Sequence, residues 1–311
     1  MFHELSIQNE KEVHRKMAQK EAVQNSTSQT KEQREAQFKK QLEEEHKLIS
    51  KKMKDVKYVL VVMSGKGGVG KTTVAVNLAT SFALNALRIG VLDADIHGPN
   101  TPKMLGIKNY VPSVGESGII PALGPLNMKV MSMAFLLPDP DTPVIWRGPL
   151  KMGAIKQFIT DVNWGELDYL IVDLPPGTGD EPLSILQLIP NITGVIIVTT
   201  PQEVALLDVR KSITMVKEMH VPVLGIIENM SGYVCPKCGH VEKIFGEGGG
   251  MKAANDMGVP FLGSIPIDPS ITIDGDKGLP FVVQSSKSKA AEAFREITDK
   301  IRKKIEPDYK G

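Results

Sequence analysis

"SGKGGVGKTT", residues 64–73, decides the fold of this chain. Gly65, Gly70, Lys71 and Thr72 match the spacing G-x-x-x-x-G-K-S/T. Each position has a physical reason. Glycines at 65, 67, 68 and 70 let backbone N–H groups from Gly65 to Thr73, those of Gly67, Gly68 and Val69 included, curl around phosphate oxygens without Cβ clashes. A helix that begins at Lys71 points its positive end at the same anion. Lys71 neutralises charge on the β- and γ-phosphates, and the Thr72 hydroxyl can ligate Mg²⁺. The loop follows an apolar run, "YVLVVM" (58–63), and precedes a helical pattern, which is the context a phosphate-binding loop requires.

Outward from the loop, short apolar runs alternate with helical stretches. Predicted strands are 58–63, 88–93, 128–133, 169–174, 194–199, 223–229 and 260–265. Several are apolar throughout, as strands covered on both faces of a parallel sheet must be. Helices are predicted near 71–85, 150–161, 181–189, 203–219, 248–257 and 287–304. The alternation implies an α/β fold: a doubly wound, mostly parallel sheet with helices on both faces and right-handed crossovers. "PSVGESGIIPALGPL" (112–126) reads as an irregular insertion or small hairpin.

Residues 1–57 differ in kind. They are rich in Lys, Glu and Gln and contain no Gly or Pro. Phe38, Leu42, Ile49, Met53 and Val56 form one helical stripe. We expect a charged, partly helical or disordered tail over 1–57, and one P-loop domain over 58–311 carrying a C-x-x-C loop at 235–238. A formal net charge of +1 gives no global argument for nucleic acid. No signal-peptide pattern and no apolar run of membrane-spanning length is visible, so the expectation is a cytoplasmic protein with neither membrane nor nucleic acid as partner.

Lys66, directly after the first glycine, makes the loop a deviant Walker A sequence. "VLDADIHGP" (91–99) places Asp93 and Asp95 at the carboxyl end of the second predicted strand, where open α/β sheets bind ligands. A carboxylate there can hold an attacking water or order waters around Mg²⁺. "YLIVDLPPGTGD" (169–180) supplies Asp173 at a strand end, for which Mg²⁺ is a ready partner, and a turn that can present the Gly177 N–H to a γ-phosphate. Asn229, in "ENMS", can pair with an adenine edge through both donor and acceptor; its bland alternative is a turn-forming Asn.

These segments, with "WRGP" (146–149), resemble the Mrp family of iron–sulfur cluster carrier ATPases, within the signature-lysine P-loop ATPases. The resemblance covers about residues 58–285. It implies a slowly hydrolysing ATPase that works as a nucleotide-linked homodimer and passes clusters to apo iron–sulfur proteins. Lys66 would reach the partner's phosphates. Lys66, Lys71 and Asp95 would be the catalytic set, with Thr72, Asp93 and Asp173 around Mg²⁺. No cysteine precedes the loop, so no second, N-terminal cluster is expected.

The chain has two cysteines, Cys235 and Cys238, in "SGYVCPKCGH" (231–240). The residues alone leave four readings open: a redox dithiol, half a zinc knuckle with His240 as a third ligand, an inert pair, and an inter-subunit site. Two copies of the pair give four thiolates about a two-fold axis, which suits a [4Fe–4S] cluster. The resemblance selects that reading, since Mrp proteins carry a labile bridging [4Fe–4S] cluster on this pair. Rival functions are a partition or positioning ATPase, acting on DNA or on a membrane through the amphipathic segment ending at Ile305, and a zinc-linked dimeric scaffold.

Overall fold

Residues apolar on both faces put β1 (Val56–Met63) in the middle of the sheet, where Val59 to Met63 are all buried. The structure, a computed structural model, describes residues 36–37, 40, 42–44, 46–96, 98–137, 148–235 and 237–309, with only the backbone at 148 and 149. The chain divides after Leu48. In the first unit the described residues, between 36 and 48, are helical. In the second, a last helical turn at 49–52 precedes β1, and Ile49 and Met53 are buried in the core. Val56 opens the strand instead of continuing the helical stripe. Phe38 and most of the tail lie outside the described residues.

After β1 come α1 (Lys71–Leu84), β2 (Ile89–Asp93), α2 (Thr101–Met104), β3 (Ser113–Gly115), β4 (Gly118–Ile120), β5 (Ala122–Leu123) and β6 (Lys129–Ser132). Next are α3 (Gly148–Thr160), β7 (Leu167–Asp173), α4 (Asp180–Leu188), β8 (Gly194–Thr199), α5 (Glu203–Glu218), β9 (Val223–Val234) and β10 (Val241–Glu242). The chain closes with α6 (Gly249–Met257), β11 (Phe261–Ile267), α7 (Pro269–Asp276), α8 (Phe281–Gln284) and α9 (Lys289–Ile305). The sheet runs β10-β9-β8-β1-β7-β2-β6-β5, and β11 also pairs with β9. All of its pairings are parallel except those of β5 and β10. The doubly wound α/β expectation is borne out, and 112–126 contains the β3–β4 hairpin.

Helix α1 is buried on nearly every side, because it lies between the sheet and α9. Phe82 stacks on Tyr169 at 4.4 Å between ring centroids. Helix α9 starts at the Ser288 cap, whose hydroxyl accepts from Ala291 N at 3.1 Å. Its apolar stripe, Phe294, Ile297 and Ile301, is buried. The stripe that would serve a membrane-binding rival is spent on the core. Among the described residues no helix is long and apolar enough to cross a membrane.

Two stability outcomes follow from this packing. Ile49→Ala should lower unfolding free energy by about 2–5 kcal/mol in urea titrations, the usual cost of emptying a fully buried Ile site. The second concerns Glu306, which accepts two bonds from Arg302 (2.9 and 3.0 Å) and one from the Tyr169 hydroxyl. Burial pushes its carboxyl up, but these bonds outweigh burial and hold it below the ordinary range. A depressed carboxyl stabilises the fold above its unfolded pKa and loses that contribution as pH falls through the folded value. The urea-midpoint gap between wild type and Glu306→Gln should therefore shrink below about pH 4.

Candidate functional site

The chain leaves β1 at Met63 and wraps through 64–70 before α1 begins. Gly68 and Gly70 hold left-handed conformations (φ 80° and 79°) that other residues resist. Space forbids side chains as well. A Cβ on Gly65 would lie 2.5 Å from the Asp208 carbonyl carbon, and one on Gly70 would lie 2.3 Å from Asn229 Nδ2. The loop is braced from within by Ser64 Oγ, which donates to Lys66 O at 2.9 Å. From the turn after β7, Gly177 N–H donates to Ser64 O at 2.8 Å, so it is spent on bracing the loop and is not presented to a γ-phosphate as the sequence suggested. Helix α1 has no side-chain cap, so its first N–H groups remain available to an anion.

Three aspartates gather at the carboxyl ends of β2 and β7, as expected, because these strands pair in register with Asp93 opposite Asp173. Asp173, fully buried, accepts from Lys71 Nζ at 2.6 Å and from Thr72 Oγ1 at 2.6 Å. Lys71 also lies 3.8 Å from Asp95, which accepts from Gly98 N at 3.3 Å. Asp93 accepts from Ser132 Oγ (2.9 Å), Thr101 N (3.2 Å) and Asp95 N (3.2 Å). Its oxygens thus shape the turn that carries Asp95. Burial, then the charge of Asp173, pushes the Asp93 carboxyl up to about 7 against the pull of Lys71 and Ser132. Burial also pushes Asp173 up, opposed by Lys71 and Thr72.

Lys71, Thr72 and Asp95 line a cavity of about 390 Å³, within the range of small-molecule sites, with Asp93 and Asp173 fully buried behind them. Sequence reasoning supplied its near wall, Gly67, Gly68, Gly70, Lys71, Thr72, Thr73 and Asp95. It missed the far wall, Lys103 and Met104 of α2 with Ile271, Gly275 and Asp276 of α7. A 3.0 Å Lys103–Asp276 ion pair ties these two helices together. The Asp-Pro-Ser start of α7 was the available signal: the Asp268 carboxylate accepts from Ser270 N at 2.9 Å. Asn229 is buried, and its amide donates to Val69 O at 2.9 Å. Lys66 is half-exposed and forms no ion pair among the described residues. The glycine cradle, the Lys71 ammonium and the Thr72–Asp173 pair fit a phosphate chain with a divalent cation.

The cysteines stand at the end of β9. Met230 (φ 57°) and Gly232 (φ 76°) bend this strand near its end. Val234 and Tyr233 then pair with Val241 and Glu242 of β10. Within the turn, Cys235 N–H donates to His240 O (2.8 Å) and Gly239 N–H to Cys235 O (2.9 Å). Cys235 is half-buried and Cys238 exposed. Backbone N–H groups of Cys238 and Lys237, with the Cys238 side chain, hold the Cys235 thiol below its ordinary value, which favours the thiolate that metals bind. His240 lies 3.4 Å from Glu242, and both are exposed. Among the described residues no three His, Cys, Asp or Glu side chains converge to hold a metal ion.

The family model described as ParA, NUBPL iron-transfer P-loop NTPase, matches residues 55–302. The chain belongs to this family. The Mrp-type resemblance read from the motifs is thereby borne out. An iron–sulfur cluster carrier protein of Methanocaldococcus jannaschii is 55% identical over 268 residues, 86% of this chain and 92% of that protein. The structure of a nucleotide-binding protein from Archaeoglobus fulgidus, in complex with ADP, is 39% identical and superposes with a TM-score of 0.70, covering 80% of this chain and 96% of that one. The cell-division ATPase MinD of Pyrococcus furiosus, 23% identical, shares the fold with a TM-score of 0.58, covering 79% of this chain and 98% of that one.

Lys71→Ala should weaken ADP binding, measured by calorimetry, by about tenfold to a hundredfold, the worth of a charge-assisted hydrogen bond. Unchanged affinity would remove Lys71 from the phosphate site.

Proposed function

We propose that the chain is an ATP-binding carrier that acts as a homodimer, holds a labile [4Fe–4S] cluster between two copies and hands it to apo-proteins. One observation carries this reading. A solvent-accessible pair of thiols, one tuned toward thiolate, ends a strand of a P-loop domain and has no further ligand beside it among the described residues. A second copy supplies two more thiolates, and one cubane takes four. The names of the relatives point the same way.

In this reading the ATPase domain begins at Ile49, ahead of the residue 58 that the sequence suggested, with the preceding segment as its appended tail, and the protein works in the cytoplasm. Lys71 and the loop amides hold the phosphates, and Lys66 reaches the partner's nucleotide. Asp95 orients the water that converts ATP to ADP and phosphate, slowly. Thr72 and Asp173, with Asp93 behind them, would hold Mg²⁺, which would supply charge to offset that of the phosphates. Asn229 meets the adenine with the part of its amide not used on Val69. The surface beside the cysteine segment suits a partner copy: Val204 (69% exposed) and Leu207 (61%) line a hollow with Gly248 and Lys252.

Anaerobic reconstitution with iron and sulfide tests the proposal. Wild type should bind about four irons per dimer, and the Cys235→Ala/Cys238→Ala variant none. Stoichiometric zinc in place of a brown chromophore would show a zinc-linked scaffold instead.

A further inference from the structure

Glu228 is a buried carboxylate with no part in the phosphate site. It lies on β9, opposite Thr199 of β8 and Ser264 of β11. Three donors converge on it. Oε1 accepts from Ser231 Oγ at 2.6 Å and from Gly248 N–H at 3.0 Å, and Oε2 accepts from Gly250 N–H at 2.6 Å. Ser231 precedes the cysteine turn, while Gly248 and Gly250 follow it at the start of α6. One side chain therefore fastens both ends of the segment that carries Cys235 and Cys238.

The glycine run "GEGGG" (246–250) finds its reason here. Gly248 is left-handed (φ 76°). A Cβ on Gly249 would lie 2.2 Å from Pro201 O, and one on Gly250 would lie 3.0 Å from Glu228 Cβ. Side chains there would push α6 off the carboxylate. The charge is matched by backbone N–H groups and the positive end of α6, an arrangement that holds a buried anion without a cation. The next residue, Asn229, holds the phosphate loop through Val69 O. The thiol turn and the phosphate loop thus hang on consecutive residues of one strand.

We propose that Glu228 is the positioning residue of the cysteine turn: its carboxylate fixes the spacing and solvent access of Cys235 and Cys238. The metal-binding part of this proposal rests on the carrier reading above. The thiol-access part does not.

The test uses the full chain. Glu228→Gln keeps the shape but turns an NH₂ toward a backbone N–H. Iodoacetamide labelling, followed by mass for each cysteine, should run about tenfold faster than in wild type, the equivalent of one lost hydrogen bond. Glu228→Asp, which keeps the charge on a shorter stem, should fall between. Ile49→Ala, destabilised elsewhere, should label at the wild-type rate; equal acceleration there would make the effect global and overturn the assignment. Cobalt(II) titration, read by thiolate-to-cobalt absorption, should show weaker binding and an altered band in Glu228→Gln. Wild-type labelling rates with wild-type cobalt spectra would overturn the proposal. If Glu228→Gln does not fold, Ser231→Ala carries the same test with a smaller expected acceleration, and no change overturns the proposal. If wild type binds neither cobalt nor a cluster while Glu228→Gln still labels faster, the positioning role stands and the carrier reading falls.

Discussion

The contact between Lys71 and Asp173, 2.6 Å apart and almost wholly out of water, is the constraint around which the rest is arranged. Burying either charge alone costs several kcal/mol, so each holds the other in place. The pair joins the first turn of α1 to the end of β7, two elements far apart in sequence. Thr72 adds a second bond to the same carboxylate, and strand register then brings Asp93 and Asp95 alongside. The phosphate loop is held between them as a preformed shape, and its anion-binding amides need little ordering when a ligand arrives.

A fully buried parallel sheet pushes its chemistry to its edges and ends. Past their first three residues, β1, β7 and β8 carry no polar side chain until they end, so the groups that can act on a ligand collect where these strands stop. Strand β9 extends this logic. Its first half belongs to the core, its middle touches the phosphate loop, and its far end, bent and paired with β10, leads into the turn that presents two thiols. One element therefore spans the distance between the phosphate loop and the pair of thiols.

Much of this was legible in the sequence, because the decisive signals are local. Apolar runs such as "YLIVDL" can be little else than buried strands, and the loop glycines announce a backbone-lined anion site. Less legible were features built from distant partners. The three donors on Asp93 come from β6, α2 and its own turn, so its service to that turn became visible only with the sheet assembled. Helix α7 lies between the strand predicted at 260–265 and the helix predicted at 287–304, where no element is predicted; its stretch "SITI" is partly β-branched, and tertiary context overrides that propensity. The stripe through Ile49 and Met53 was readable as a helix, but not the point at which Val56 abandons it for the sheet.

The bend in β9 has a consequence for how this chain can change over time. Between the pairs Ile265–Asn229 and Ile267–Tyr233, β11 advances two residues while β9 advances four. The surplus is taken up where Met230 and Gly232 turn left-handed, as in a bulge. Before the bend, one inserted residue would turn Asn229 to the wrong face and unseat the phosphate loop. Beyond it, Tyr233 and Val234 take up a separate register with β11 and β10, and the turn that follows is paired to no strand among the described residues. The turn between Val234 and Val241, which bears the thiols, is therefore free to lengthen, shorten or be replaced by descent, while the half that serves the nucleotide must keep its count.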